Sequence, residues 1–241
     1  MAFLGIFGKK SDGSALRKHA ERVANKRAQA YDRWESIQAL SQVRTTESAA
    51  ALLPRFTFYV EPSITDQEEK DAAFGGIVET GAPAIEPVLA FLKRADSISW
   101  PLKMLDRLCP ADVVVGYLLE LVFVMDTEYA RDPESKIQVL TMLSERRDPR
   151  VADAIARFLT DANETARFAA AGAIIGQDAV VQHKTALVNA LCLEDSVRVR
   201  NRILEALANA NLSVLPEQER VKARLTPLYT LDLGFVPRKK T

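Results

Sequence analysis

Asp148-Pro149-Arg150-Val151, then Ala154-Ile155 and Phe158-Leu159, a polar turn at Asp161-Ala162-Asn163, and Arg167-Phe168-Ala169-Ala170-Ala171-Gly172-Ala173-Ile174: this stretch decides the fold. Asp before Pro supplies a helix cap and a pre-set φ for the first helical residue. The apolar residues that follow recur at helical spacing, and the turn leads into a second helix rich in Ala. The pattern then returns. Leu187, Val188 and Leu191 precede a turn at Glu194-Asp195, and Val197 to Leu207 follows it. Shifted by 33 residues, Arg167 falls on Arg200, Ala173 on Ala206 and Ile174 on Leu207.

Working outward, one basic residue marks each copy of the unit: Lys70, Lys103, Lys136, Arg167 and Arg200, with gaps of 33, 33, 31 and 33. Each follows an acid by four to seven positions: Asp66, Asp96, Asp132, Asp161 and Asp195. A period in the low thirties marks a stack of helical hairpins rather than a globule with one centre. The expected class is all-α, a right-handed α-solenoid of about five antiparallel hairpins over residues 46–210. The first hairpin runs from Thr46 to Phe58 and from Asp66 to Thr80, stopped by Gly81. The second opens at Pro83 and resumes near Ser97–Ser99. The third opens at Pro110, carries the apolar run Val113 to Met125, and resumes after Asp132-Pro133. Ala at the contact face of the second helices permits approach at the short end of about 8–10 Å.

The flanks differ. Residues 14–45 read as capping helices, one long or two in tandem, with Ser14 as N-cap. Val23, Tyr31, Trp34, Ile37 and Leu40 form the apolar stripe, and Arg22, Lys26, Arg27 and Arg33 lie off it. Residues 211–241 read as a helix beginning at Pro216 and an extended tail in which Leu231, Leu233 and Phe235 alternate.

Composition narrows the function classes. The 241 residues are 48% apolar, with two cysteines, Cys109 and Cys192, far apart in sequence, which read as small core residues in a reducing compartment. No run of about 18 apolar residues exists for a membrane span. The opening residues are apolar first and basic second, the reverse of a secretory leader, so the expected location is cytoplasmic. Net charge is zero but unevenly spread. Lys9, Lys10, Arg17, Lys18, Arg22, Lys26 and Arg27 face only Asp12 and Glu21, and Arg238-Lys239-Lys240 closes the chain, so the body between is acidic. A nucleic-acid binder normally carries its basic stripe over the body, so nucleic acid is not expected as the main ligand.

The fourth and fifth units resemble the HEAT repeat, above all its short bacterial variety named after phycobilisome lyases. The matching residues are Asp148-Pro149-Arg150-Val151, the turn acids Asp161 and Asp195, and Arg167 or Arg200 ahead of an Ala-rich helix. The resemblance covers about residues 83–210 and fades toward the N-terminus. It implies that the turn acid and the following cation form a ladder of hydrogen bonds between hairpins, which would make the five cations structural. It implies a protein-binding scaffold or adaptor. A bilin-lyase-like enzyme or chaperone and a HEAT-like alkyl-purine DNA glycosylase are the alternatives.

The remaining candidates carry two readings each. The cations Lys70, Lys103, Lys136, Arg167 and Arg200 either hold an acidic ligand on the concave face or bind turn carboxylates and carbonyls of neighbouring hairpins. Val113–Met125 is either central core or an interface. Trp34 and Trp100 are either base-stacking residues, Trp100 with Lys103 and Asp106, or buried packing. Phe74-Gly75-Gly76-Ile77 is a site of close helix packing rather than a phosphate loop. His19 and His183 lack metal-ligand spacing, and no nucleophile has an adjacent base, so neither a cofactor nor catalysis is expected. Residues 1–13 are expected to be flexible, with Phe3, Leu4, Ile6, Phe7, Lys9 and Lys10 docking on a partner protein or an anionic membrane surface.

Overall fold

The computed structural model describes residues 8–130 and 133–240. Among these, 13 α-helices and three 3-10 turns account for nearly all regular structure, with two three-residue strands near the C-terminus. The chain divides into two compact units, Met1–Val114 and Val115–Thr241.

In the first unit α1 (Gly8–Ala24) lies against α2 (Ala30–Val43), and α2 against α4 (Ser63–Thr80). Between them α3 (Thr46–Leu52) continues into a 3-10 turn over Leu53–Thr57. Thr45 opens α3 with a capping box, its hydroxyl accepting from the Ser48 N–H while Ser48 accepts from the Thr45 N–H. Pro54, which has no N–H for an α-helical bond, sits where α3 tightens into the 3-10 turn. Gly81, at φ 72°, ends α4 in a conformation open to glycine. Then α5 (Ile85–Leu92) packs on α3 and on α6 (Ser99–Leu108). Val23, Ile37, Leu40, Leu52, Ile77, Val88 and Leu105 form the core.

The boundary between the units falls inside α7 (Ala111–Val124). In the second unit α10 (Glu164–Gly176) packs between α8 (Glu134–Ser144) and α12 (Val197–Asn209). The intervening helices are α9 (Pro149–Ile155), extended by a 3-10 turn over Ala156–Thr160, and α11 (Lys184–Leu193). Asp148, Asn163 and Ser196 cap α9, α10 and α12, each side chain accepting from a backbone N–H of the first turn. A Cβ on Gly176 would lie 3.0 Å from the Ser144 carbonyl, so α10 and α8 meet where a side chain is missing. After α13 (Gln218–Lys222), β1 (Tyr229–Leu231) pairs antiparallel with β2 (Pro237–Lys239), and β2 rests on α12.

Four local readings are corrected. Ser14 lies inside α1 (Gly8–Ala24) rather than capping it; of the two forms expected for the capping segment the chain takes two helices in tandem, parted at Asn25–Gln29, where Asn25 folds back to accept the Arg27 N–H. Tyr31 and Trp34 are exposed while Arg33 is buried, because Arg33 finds carboxylate and carbonyl partners inside and the aromatic rings do not need them. The last helix starts at Gln218 and spans five residues. The tail is a β-hairpin rather than a single extended strand: Asp232 accepts from the Gly234 and Val236 N–H groups, and Leu233 stands fully exposed at the turn. Phe3, Leu4, Ile6, Phe7 and Asp132 fall outside the described residues, and Lys9 and Lys10 lie in the first turn of α1.

Candidate functional site

The marked cations do not share one role. Lys136 on α8 is buried and places Nζ 2.7 Å from Asp161 Oδ2, while also donating to the Asp126 and Glu128 carbonyls. The other oxygen of Asp161 accepts the Asn163 N–H at 2.8 Å. Arg167 on α10 makes the next connection. Its Nε and Nη2 reach Glu194 Oε2 and Oε1 at 2.6 and 2.9 Å, and Nη1 donates to the Asp161 carbonyl at 2.9 Å. The hydrogen bonds to Glu194 push the guanidinium further toward its charged form.

Asp195, the turn acid marked ahead of Arg200, takes no part in this connection. Asp195 is exposed and pairs with Arg224, whereas Glu194 is buried. The chain turns into α12 so that Glu194 faces α10 and Asp195 faces water. Arg200 departs as well: it donates through Nη1 to the Arg224 carbonyl at 3.1 Å and meets no carboxylate, and its Nε is buried without a partner among the described residues. Among the described residues α12 is followed by the short α13 and a β-hairpin rather than by another pair of helices with a turn acid.

In the first unit Lys70 belongs to a buried charge cluster that sequence reading missed. Arg33 forks onto Glu69 with two contacts of 3.0 Å. Arg55, fully buried, reaches Glu69 at 2.6 Å and Asp66 at 2.7 Å, and Lys70 closes the set on Asp66 Oδ2 at 2.7 Å. Arg33 also donates to the Lys26 and Ala28 carbonyls and Arg55 to that of Phe58. Burial by itself pushes the Asp66 carboxyl up. Hydrogen bonds from Lys70, Arg55 and the Val60 N–H outweigh it and hold the group below the ordinary carboxylate value. The signal was present: Asp66 and Glu69 share the buried face of α4 with Ala73, Ile77 and Thr80, so two acids occupy apolar phase. Their partners come from α2 and the 3-10 turn, too distant in sequence to read.

Lys103 is exposed and lies over the Trp100 ring at 4.8 Å instead of pairing with Asp96. Trp100 stacks at a tilt on Phe56 and Phe74, with centroids 5.0 and 6.0 Å apart. Phe56, Phe91 and Trp100 wall a cleft of about 370 Å³ whose rim carries Arg94, Asp96 and Ser97. Arg94 also borders a second cleft of about 300 Å³ between α3 and α5. Arg94 is exposed and forms no ion pair among the described residues.

On α7, Val114, Val115, Leu118 and Val122 are buried, whereas Phe123 and Val124, with Tyr129 beyond them, are about four-fifths exposed. Arg157 fastens this helix end by donating to the Val122 and Met125 carbonyls at 2.5 and 2.6 Å. His19 meets Ser36 and His183 meets Asp153, each at 3.0 Å, and no group of metal-ligating side chains occurs among the described residues. Burial pushes both cysteine thiols up, away from the reactive thiolate. Among the described residues no helix is long and apolar enough to cross a membrane. No protein-family model, no curated protein and no solved structure matches this chain.

Proposed function

We propose that this chain is a HEAT-like α-solenoid that works as a cytoplasmic protein-binding scaffold or adaptor without chemistry of its own. One observation carries the reading: two of the five marked cations, Lys136 and Arg167, hold acids of neighbouring hairpins, while large apolar side chains are left outside. Lys136–Asp161 and Arg167–Glu194 join successive hairpins, which supports a stack held in register. Phe123, Val124 and Tyr129 offer the apolar surface that a protein contact buries. The mixed surface charge favours a protein over nucleic acid, and the N-terminal segment with Phe3, Leu4, Ile6, Phe7, Lys9 and Lys10 would add a second contact to a partner or an anionic membrane surface.

A photo-crosslinking residue placed at Phe123 in the native cell tests the reading. A discrete protein adduct from this position, absent when the probe sits at exposed Arg147 beyond α8, is the expected result. Release of a base from alkylated duplex, or a coloured adduct on co-expression with a bilin and its acceptor, would replace the adaptor by an enzyme.

A further inference from the structure

We infer that the groove along α3 and α5 binds an extended segment of a partner protein in which an aromatic residue stands next to an acidic one. The inference rests on the adaptor reading and names the chemistry of the segment it would hold. Thr46, Ala50 and Leu53 lie on one face of α3 and its 3-10 continuation, and Glu86, Pro87 and Ala90 lie on the facing side of α5. The cleft between them and the aromatic cleft beyond share Arg94, so two recesses of about 300 and 370 Å³ adjoin at this residue. Recesses of this size hold one or two side chains each, and their succession along two helix faces suits a chain segment rather than a single small anion.

The aromatic recess is already organised. Trp100 is braced by Phe56 and Phe74 on the protein side and by the Lys103 ammonium, so little rotamer freedom remains to be lost when a ring docks. Aromatic pairs in tilted geometry add to plain area burial, which favours a Phe, Tyr or Trp as the occupant. Arg94 supplies the second determinant. Arg33, Arg55, Arg167 and Arg198 all meet carboxylates within the fold, whereas Arg94 forms no ion pair among the described residues. A guanidinium presents a fork matched to a carboxylate, so the charge complement is an acid beside the aromatic anchor. Asp96 in the aromatic recess and Glu86 in the other each repel a further acid, so the segment carries a single acid, placed at the shared Arg94.

The chain has two tryptophans, so in a Trp34→Phe background Trp100 alone reports on the groove. The probe is the peptide acetyl-Ser-Gly-Phe-Glu-Gly-Ser-amide, titrated into the full chain while Trp100 emission is followed. We expect a saturable change, weakened about tenfold or more when Gln replaces the peptide Glu or Ala replaces its Phe. Arg94→Gln should remove the preference for Glu over Gln, and Arg94→Lys, which keeps the charge, should retain part of it. Equal binding of the Glu and Gln peptides, no saturable response, or an undiminished Glu preference in Arg94→Gln would overturn the assignment. So would self-association of the chain that Arg94→Gln abolishes, since a second copy would then be the occupant. Phe123 lies in the other unit. A partner captured there with no peptide response removes the groove and leaves the adaptor reading standing.

Discussion

Glu194 and Asp195 are neighbours in sequence, yet one is buried beneath the Arg167 fork and the other stands in water against Arg224. Removing the negative charge should therefore have unequal effects. Glu194→Gln leaves a part-buried guanidinium without its counter-charge and is expected to cost about 3 kcal/mol, whereas Asp195→Asn loses an exposed pair worth about 0–1 kcal/mol. Urea denaturation of the two variants beside the parent protein checks the contrast, and equal losses would contradict the geometry. The same logic applies to Arg55. Arg55→Met leaves buried Glu69 to Arg33 alone and buried Asp66 to Lys70 alone, and a loss of about 3 kcal/mol is expected. Acid should act on this cluster with a definite sign. The Asp66 carboxyl is lowered in the folded state, so its stabilisation is present above the unfolded value of about 4 and is lost as pH falls through the folded one. Glu164, held down by hydrogen bonds from Arg198, acts in the same direction. Urea midpoints measured from about pH 6 down to about pH 3 should fall, and less steeply in Lys70→Met, which loses one of the bonds that lowers Asp66.

At the scale of elements, the adjacent glycines of α4 separate propensity from packing. Gly75 has open space where a Cβ would go, while a Cβ on Gly76 would lie 2.0 Å from Ser41 Oγ and 3.1 Å from Ser41 Cα. Gly75→Ala is thus expected to stabilise by about 0.5–1 kcal/mol through helix propensity. Gly76→Ala is expected to destabilise by about 1–3 kcal/mol because α2 must retreat from α4. Thermal denaturation of both variants would show shifts of opposite sign. Close packing as the explanation of Phe74-Gly75-Gly76-Ile77 therefore holds for one glycine of the pair. The element boundaries of α3 to α12 were legible to within a few residues, because capping residues, prolines and apolar spacing act locally. The C-terminal hairpin was not. Its alternation of Leu231, Leu233 and Phe235 resembles a strand, but Asp232 bends the chain by accepting two backbone N–H groups, and Phe235 takes φ 58°.

Over the whole molecule, two charge networks stabilise the two units, each lying wholly within its own: the Arg33–Glu69–Arg55–Asp66–Lys70 cluster in the first and the Lys136–Asp161 and Arg167–Glu194 links in the second. Their effects on stability should add. Combining Arg55→Met with Glu194→Gln is expected to give the sum of the single losses within about 0.5 kcal/mol, and a coupling well beyond that would mean that the two networks are not independent. Calorimetry of the single variants should also show whether each perturbs the whole transition or one part of it.

The sequence by itself determined the all-helical class, the alternation of short helices and the phase at which cations recur, since each follows from local caps, turns and the 3.6-residue period. Only the tertiary structure decided what those cations do. A helix presents Lys70, Lys103, Lys136, Arg167 and Arg200 at one phase whatever surrounds it. Whether each meets a buried acid, an aromatic ring or a carbonyl depends on which residue the next element brings within about 3 Å. The burial of Arg33, Arg55 and Glu69 is decided in the same way: it is tolerable only because three segments distant in sequence converge to neutralise one another.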